Sequence, residues 1–216
     1  MALNPELHRK AIPTLVKNAD LVEVKRTQLV DAAVNLFISK GFHQTTTREI
    51  AKAAGFSIGT LYEYIASKED ILYLVCEAIH GEMEMQLTKA LDEHQSDEST
   101  LQEAIAQYLR VCDRMQDSIL LIYRDTASLK TESQQFVLRN EARITAIFER
   151  IIRTGVEHGT FSLDEDKAIK LMAHNITVLG HMWAFRRWFL HDTFSIDEFI
   201  QYQTSLIMGE LLGNNR

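Results

Sequence analysis

Cysteine is almost missing from this chain: Cys76 and Cys112 stand 36 positions apart with no CxxC pair, which excludes a disulfide framework and a zinc knuckle and fits a reducing compartment. Proline occurs only as Pro5 and Pro13, so nothing beyond residue 13 carries the residue that most strongly breaks a helix. Glycine is sparse as well, at nine residues. No stretch reaches the roughly 18 apolar residues that a membrane span needs. Glu6, His8, Arg9, Lys10, Lys17 and Asp20 interrupt the first twenty residues, leaving no secretory core. A soluble, cytoplasmic protein with no membrane partner is expected.

What is present is an ordinary globular composition, 46% hydrophobic and 25% charged over 216 residues, enough to bury a core. That length suits one large domain or a small one joined to a larger. There is no repeat, and the polar run His94 to Ser99 is the nearest thing to a linker. The net charge of −7 is uneven. Residues 1–70 hold nine Lys/Arg and eight Asp/Glu, a balance of +1, whereas residues 71–216 hold fourteen against twenty-two, or −8. Screening over about 8 Å lets the first part meet a polyanion despite the acidic remainder.

Apolar spacing predicts an all-α chain. Leu29, Ala33, Leu36 and Phe37 mark a first helix over about 21–40, stopped by Gly41. Thr46-Thr47-Arg48-Glu49 reads as a capping box opening a short second helix that buries Ile50, Ala51 and Ala54 and ends at Gly55. Ser57 caps a third helix of about two turns with Leu61 and Ile65 inside. Ser67-Lys68-Glu69-Asp70 caps a long fourth, striped by Ile71, Leu72, Val75, Ile79, Met83, Leu87 and Leu91. Further helices are expected over about 98–114, 116–125, 132–157, 164–190 and 195–212, nine in all. Asp164-Glu165-Asp166 and Ser195-x-x-Glu198 supply negative first turns for the last two.

The second and third helices form a helix-turn-helix pattern: Ala51 permits a close crossing, Gly55 supplies the turn, and Leu61 pins the third helix to the first. Such a helix enters the major groove with its N-terminal residues nearest the bases. Here these are Ser57, Ile58, Gly59 and Thr60, with Ile58 and the Thr60 methyl suited to a thymine methyl. Tyr62, Tyr64 and Lys68 are expected on the outer side near phosphates, and Thr46, Thr47 and Arg48 add hydroxyls, amides and a guanidinium on the other flank. Taken singly, Thr46 and Ser57 read as caps and the tyrosines as packing; taken jointly, the pattern favours DNA.

Those residues, Thr46-Thr47-Arg48-Glu49-Ile50-Ala51, Ala54-Gly55, Gly59-Thr60-Leu61-Tyr62-Glu63-Tyr64-Ile65 and Ser67-Lys68-Glu69-Asp70-Ile71-Leu72, resemble the TetR/AcrR transcriptional regulators over 27–75. Ile65 departs from the family's more usual Phe while keeping an apolar anchor. The resemblance implies a homodimer on a palindromic operator, a dimer interface in the last two helices, a ligand pocket in the C-terminal body, and repression relieved by a small-molecule effector. The division expected is a 1–20 N-terminal arm, a 21–66 three-helix DNA-binding domain, and a 67–216 six-helix ligand-binding and dimerisation domain. The fourth helix starts at Ser67-Lys68 and is expected to shift when ligand binds.

Leu171, Ile176, Leu179 and Trp183, with Phe199, Tyr202, Leu206 and Leu211, offer more apolar surface than one chain's core need use, which suits a four-helix dimer interface and equally a single-chain core. Met115, Tyr123, Phe148, Trp183 and Trp188 are pocket candidates by side-chain type, although packing explains any one of them alone. Trp183-Ala184-Phe185-Arg186-Arg187-Trp188-Phe189 sets two guanidiniums in an aromatic run. A ligand with an apolar tail and an anionic head, such as an acyl-coenzyme A, would use both. The general preference of Arg for the surface favours the other reading, with Arg186 and Arg187 solvated or paired with acidic residues across the dimer.

An enzyme is not expected. Glu77-x-x-His80 lacks the second half of a di-iron pattern, His174 and His181 lack a third ligand, and no nucleophile elbow, P-loop or dinucleotide fingerprint occurs, so neither metal nor cofactor is expected. The competing class is a helical ligand-binding or adaptor dimer whose helix-turn-helix contacts protein.

Overall fold

The computed structural model describes residues 11–91, 98–163 and 165–213, all of whose regular structure is helical. The helices are α1 (Ala19–Lys40), α2 (Thr47–Ala53), α3 (Ile58–Tyr64), α4 (Lys68–Leu91), α5 (Glu98–Arg114), α6 (Gln116–Asp125), α7 (Thr131–Glu157), α8 (Asp166–Phe185), α9 (Arg187–Thr193) and α10 (Ile196–Leu211), with a 3₁₀ turn at Thr126–Ser128. Residues 94–97 of the expected linker and Asp164 of the expected acidic cap lie outside the described residues.

Two compact units divide the chain, one of residues 1–80 with 120–140 and one of residues 81–119 with 141–216. In the first, α1 is the central rod: Leu29, Ala33 and Phe37 are fully buried and α2 and α3 both pack on it. Its C-terminal end is held by Arg124, whose guanidinium donates to the Phe37 carbonyl at 2.8 Å while pairing with buried Asp125. His43 meets the Ser128 hydroxyl at 3.0 Å just beyond that end. Asp70 closes the start of α4, accepting from the Ala66 amide at 3.2 Å and the Ser67 hydroxyl at 2.9 Å.

In the second unit α5 lies between α8 and α10. The α5–α8 approach is close because position 180 has no side chain: a Cβ there would stand 2.5 Å from Tyr108 Cε1 and 2.6 Å from Cys112 Sγ. Tyr108 is fully buried and donates its hydroxyl to the Thr177 carbonyl at 2.9 Å.

The expected single helix over 164–190 is two helices, which corrects the count from nine to ten among the described residues. Arg186 leaves helical geometry (φ −103, ψ 22). Its amide closes α8 on the Met182 carbonyl, and its own carbonyl accepts from Phe189 and Leu190 to open α9. Trp183 requires the break. Its ring lies tilted against those of His191 and Phe199, with centroids 4.3 Å and 4.8 Å apart, and its indole N–H donates to Asp113 at 2.7 Å. In an unbroken helix, residues eight apart are about 12 Å apart along the axis, out of stacking reach.

Replacing Gly180 by Ala is expected to force α8 off α5 and to cost about 1–3 kcal/mol, as overpacking does. Urea unfolding should show a lower midpoint with an unchanged slope. A midpoint equal to that of the parent would contradict the close α5–α8 packing.

Candidate nucleic-acid interface

The α2–α3 turn is built by backbone chemistry. Gly55 takes φ +75, the Phe56 amide donates to the Ala51 carbonyl at 2.8 Å and the Gly55 amide to the Lys52 carbonyl at 3.2 Å. This paired closure needs a left-handed residue at position 55, which glycine adopts without strain. Ser57 then starts α3, its hydroxyl accepting from the Thr60 amide at 3.0 Å and meeting the Thr60 hydroxyl at 2.9 Å.

Leu61 and Ile65 are buried, and the opposite side of α3 faces out. Ser57, Ile58, Gly59 and Tyr62 are exposed and Thr60 is half-buried, Tyr62 retaining 46% of its surface. The Tyr62 hydroxyl lies 3.2 Å from that of Thr47, which ties the outer row of α3 to the first turn of α2. There Thr46 completes the expected capping box: its hydroxyl accepts from the Glu49 amide at 3.2 Å and its amide donates to the Glu49 carboxylate at 2.9 Å. Hydrogen bonds from Lys40 and then from Thr46 hold the Glu49 carboxyl down at about 2. Arg48, next along, is exposed.

Two expected contacts are placed differently. Tyr64 is only 5% exposed, with its ring 6.2 Å from that of Phe56. It follows Leu61 by three residues and so shares the inner face of the helix, whereas Tyr62 does not. Lys68 points inward too: its ammonium donates to the carbonyls of Phe42 at 2.9 Å and Thr45 at 3.0 Å and lies over the Phe42 ring. It closes the α1–α2 loop instead of reaching outward.

The C-terminal end of α3 carries a feature the sequence did not announce. Residues 11–18 lie along it: the Leu15 amide and the Thr14 hydroxyl both donate to the Glu63 carbonyl, at 2.9 and 2.8 Å. Arg26 of α1 donates to the Tyr64 carbonyl at 3.0 Å and to the Ile12 carbonyl at 2.8 Å. Burial lowers the pKa of its guanidinium, and Asp70 and Glu77 oppose that shift. Contacts 38 and 49 residues apart leave no local pattern to read.

The expected ligand residues are divided between the two units. Trp183 and Phe148 are buried in the second unit, Met115 is half-buried there, and Tyr123 belongs to the first unit and is exposed. Arg187 pairs with Asp117 of its own chain at 3.0 Å, and Arg186 stacks on Trp188, itself 66% exposed. Two polar contacts missed by the sequence reading reach into the second unit from its part-buried side chains. Thr145 and Thr177 share a hydroxyl contact at 3.0 Å, and buried His181 faces Glu141 at 3.8 Å. An open groove of about 700 Å³ lies between α5 and α10, lined by Ser99, Glu103, Ile200, Thr204 and Met208 among others.

His80, half of the incomplete metal pattern, is buried, with its Nδ1 2.9 Å from the Cys76 carbonyl, and burial pulls its pKa down to about 4. No group of three metal-competent side chains occurs among the described residues, and no helix among them is long and apolar enough to cross a membrane.

Two family descriptions match along the chain: bacterial regulatory proteins of the tetR family over residues 29–74, and the tetracyclin repressor-like C-terminal domain over residues 94–209, more than half of the sequence. The chain belongs to the TetR family of transcriptional regulators.

Among TetR-family relatives, the regulator HbdR of Aromatoleum sp. (strain CIB) is 28% identical over 203 residues, 94% of this chain and 87% of its own. The repressor KstR2 of Rhodococcus jostii (strain RHA1) is 26% identical over 171 residues, 76% of this chain and 79% of its own. A tetR-family regulatory protein from Rhodococcus RHA1 superimposes with a TM-score of 0.73 at 25% identity, covering 87% of this chain and 96% of that one. AibR, solved with isovaleryl coenzyme A and operator DNA, shares the fold at 18% identity, with a TM-score of 0.67 over 87% of this chain and 98% of its own. As a TetR-family member the chain is a helix-turn-helix transcriptional regulator and not an enzyme.

Thr46→Ala removes the α2 cap and should lower stability by about 1 kcal/mol in chemical denaturation. The contribution of Glu49, whose folded pKa is depressed, is present in full above its ordinary value of 4.5 and is lost as pH falls through about 2. The stability gap between parent and Glu49→Gln should therefore be constant at neutral pH and close only in strong acid. A gap that closes between pH 7 and 5 would contradict the capping assignment.

Proposed function

We propose that the chain acts as a dimeric repressor in which each subunit's α3 reads half of a palindromic operator and a small effector releases it. The observation that carries this is the outward row Ser57, Ile58, Gly59 and Tyr62, linked through Thr47 to the α2 end that bears Arg48. Small side chains at the start of α3 suit close approach to base edges. Thr46, Thr47, Arg48 and Tyr62 are the phosphate contacts on this reading. Tyr64 and Lys68 support the module from inside. The DNA-binding domain is residues 21–66, and residues 67–216 bind effector and partner.

Dimerisation is supported by apolar side chains that the single chain leaves uncovered: Leu171, Met182 and Phe185 on α8, Tyr202 and Leu206 on α10. Ile176, Trp183, Phe199 and Leu211 are already used inside the chain. Two subunits joined there present two recognition helices, which suits half-sites a helical turn, about 34–36 Å, apart. The effector has an apolar body and an anionic head, an acyl-coenzyme A being the form that the AibR complex with isovaleryl coenzyme A supports. It favours the state in which α4 is shifted, and by linkage it weakens operator binding only by its preference for that state, typically 1–3 kcal/mol.

Operator affinity should fall steeply with salt, and Arg48→Ala should reduce that slope by about one unit per lost phosphate contact in each subunit. A flat salt response would contradict DNA binding by this face.

Isovaleryl coenzyme A and longer acyl-coenzyme A esters should dissociate the complex. The pair Arg186→Ala and Arg187→Ala should abolish that release while leaving operator affinity intact. Release that persists in the double variant would remove the anionic-head assignment.

A further inference from the structure

We infer that the strap of residues 11–18, locked by Arg26, is a positioning device that sets the pose of α3 and thereby the operator specificity of the protein. The inference rests on the reading of α3 as the DNA-contacting helix and concerns what holds that helix in place.

A helix of seven residues leaves its last four carbonyls without intrahelical donors. Many helices solve this with a left-handed glycine after the last turn. Here that position is Ile65, extended at φ −143 and ψ 158 and buried, so the chain turns away into α4 with no such closure. The donors come from outside. Glu63 receives the Leu15 amide and the Thr14 hydroxyl, and Tyr64 receives Arg26 Nε. The other arm of the guanidinium grips the Ile12 carbonyl, so one side chain joins α1, α3 and the strap. Ile12 is itself buried, which gives the strap an apolar anchor.

Tyr62 and the exposed N-terminal residues of α3 share one short rigid body with Glu63 and Tyr64, so a pivot at the C-terminal end displaces all of them. Base-edge hydrogen bonds tolerate little displacement, whereas phosphate attraction is long-ranged. Loosening the strap should therefore cost operator affinity and leave nonspecific binding in place. General loss of folded protein would lower both in proportion.

The test uses the full chain and two variants, Arg26→Gln, which loses the three-way tie, and Ile12→Ser, which keeps Arg26 and removes the anchor. Amide exchange over residues 61–65 is measured without DNA. Affinity is measured for a selected operator and for random-sequence duplex across a salt series. We expect faster exchange confined to α3 and the strap, an operator affinity at least about tenfold weaker in Arg26→Gln, as for a lost charge-assisted hydrogen bond, a smaller loss in Ile12→Ser, random-duplex affinity kept, and an unchanged salt slope. Unchanged exchange over 61–65, equal loss toward operator and random duplex, or a slope reduced by about one unit per subunit would each overturn the inference, the last by making Arg26 a phosphate contact. If the parent selects no sequence at all, the DNA reading fails, and the exchange measurement alone still decides whether the strap holds α3.

Discussion

A seven-residue helix is too short to hold itself in water, since isolated helices below about 12–15 residues are marginal even with favourable composition. Everything that makes α3 useful therefore has to come from its surroundings. Gly55 and the Ala51–Phe56 closure fix its entry, Ser57 satisfies its first amides, Leu61, Tyr64 and Ile65 anchor one side in the core, and the strap with Arg26 supplies donors to its last carbonyls. Once both ends and one face are committed, only the outer row remains, and that row is small at the start and carries a tyrosine further on. Rigidity at the surface is here a product of burial on the other side.

The second unit follows a different economy. Close approach at Gly180 brings α8 onto α5, and Trp183 spends its whole surface on Asp113, His191 and Phe199. What this packing leaves uncovered is apolar, along Leu171, Met182 and Phe185 and along Tyr202 and Leu206. Burial at about 25 cal/mol per Å² makes such a face favourable to cover by a second subunit. Its interior meanwhile retains a hydroxyl and an imidazole, Thr177 and His181, that an ordinary apolar bundle would not need, and part-buried Thr145 meets the first of them.

Local chemistry was legible in the sequence and distant chemistry was not. The boxes Thr46 to Glu49 and Ser195 to Glu198 form as expected because a cap involves only residues three apart. Gly41, Gly55, Gly159 and Gly213 all sit at positive φ where helices stop. Tyr64 and Lys68 went astray for one reason: residue type suggested phosphate, while position on a short helix and a nearby ring of loop carbonyls turned both inward. The break at Arg186 accompanies the contact of Trp183 with Phe199, 16 residues further on, and the clasp of Arg26 reaches Tyr64, 38 residues away, neither of which helical periodicity encodes. The aromatic and basic pocket candidates were chosen by type alone, and type does not tell that Tyr123 falls in one unit and Trp183 in the other.

The most direct test of the central claim, that the outer row of α3 reads base edges in a two-fold arrangement, is selection of bound sequences from a random duplex pool with the full-length protein. Enrichment of an inverted repeat whose half-site centres lie one helical turn, about 10 base pairs, or a multiple of it apart is expected. Ile58→Ala is expected to change the preferred bases within each half-site without altering the spacing. A pool that stays unenriched, or a preference indifferent to Ile58, would contradict the claim.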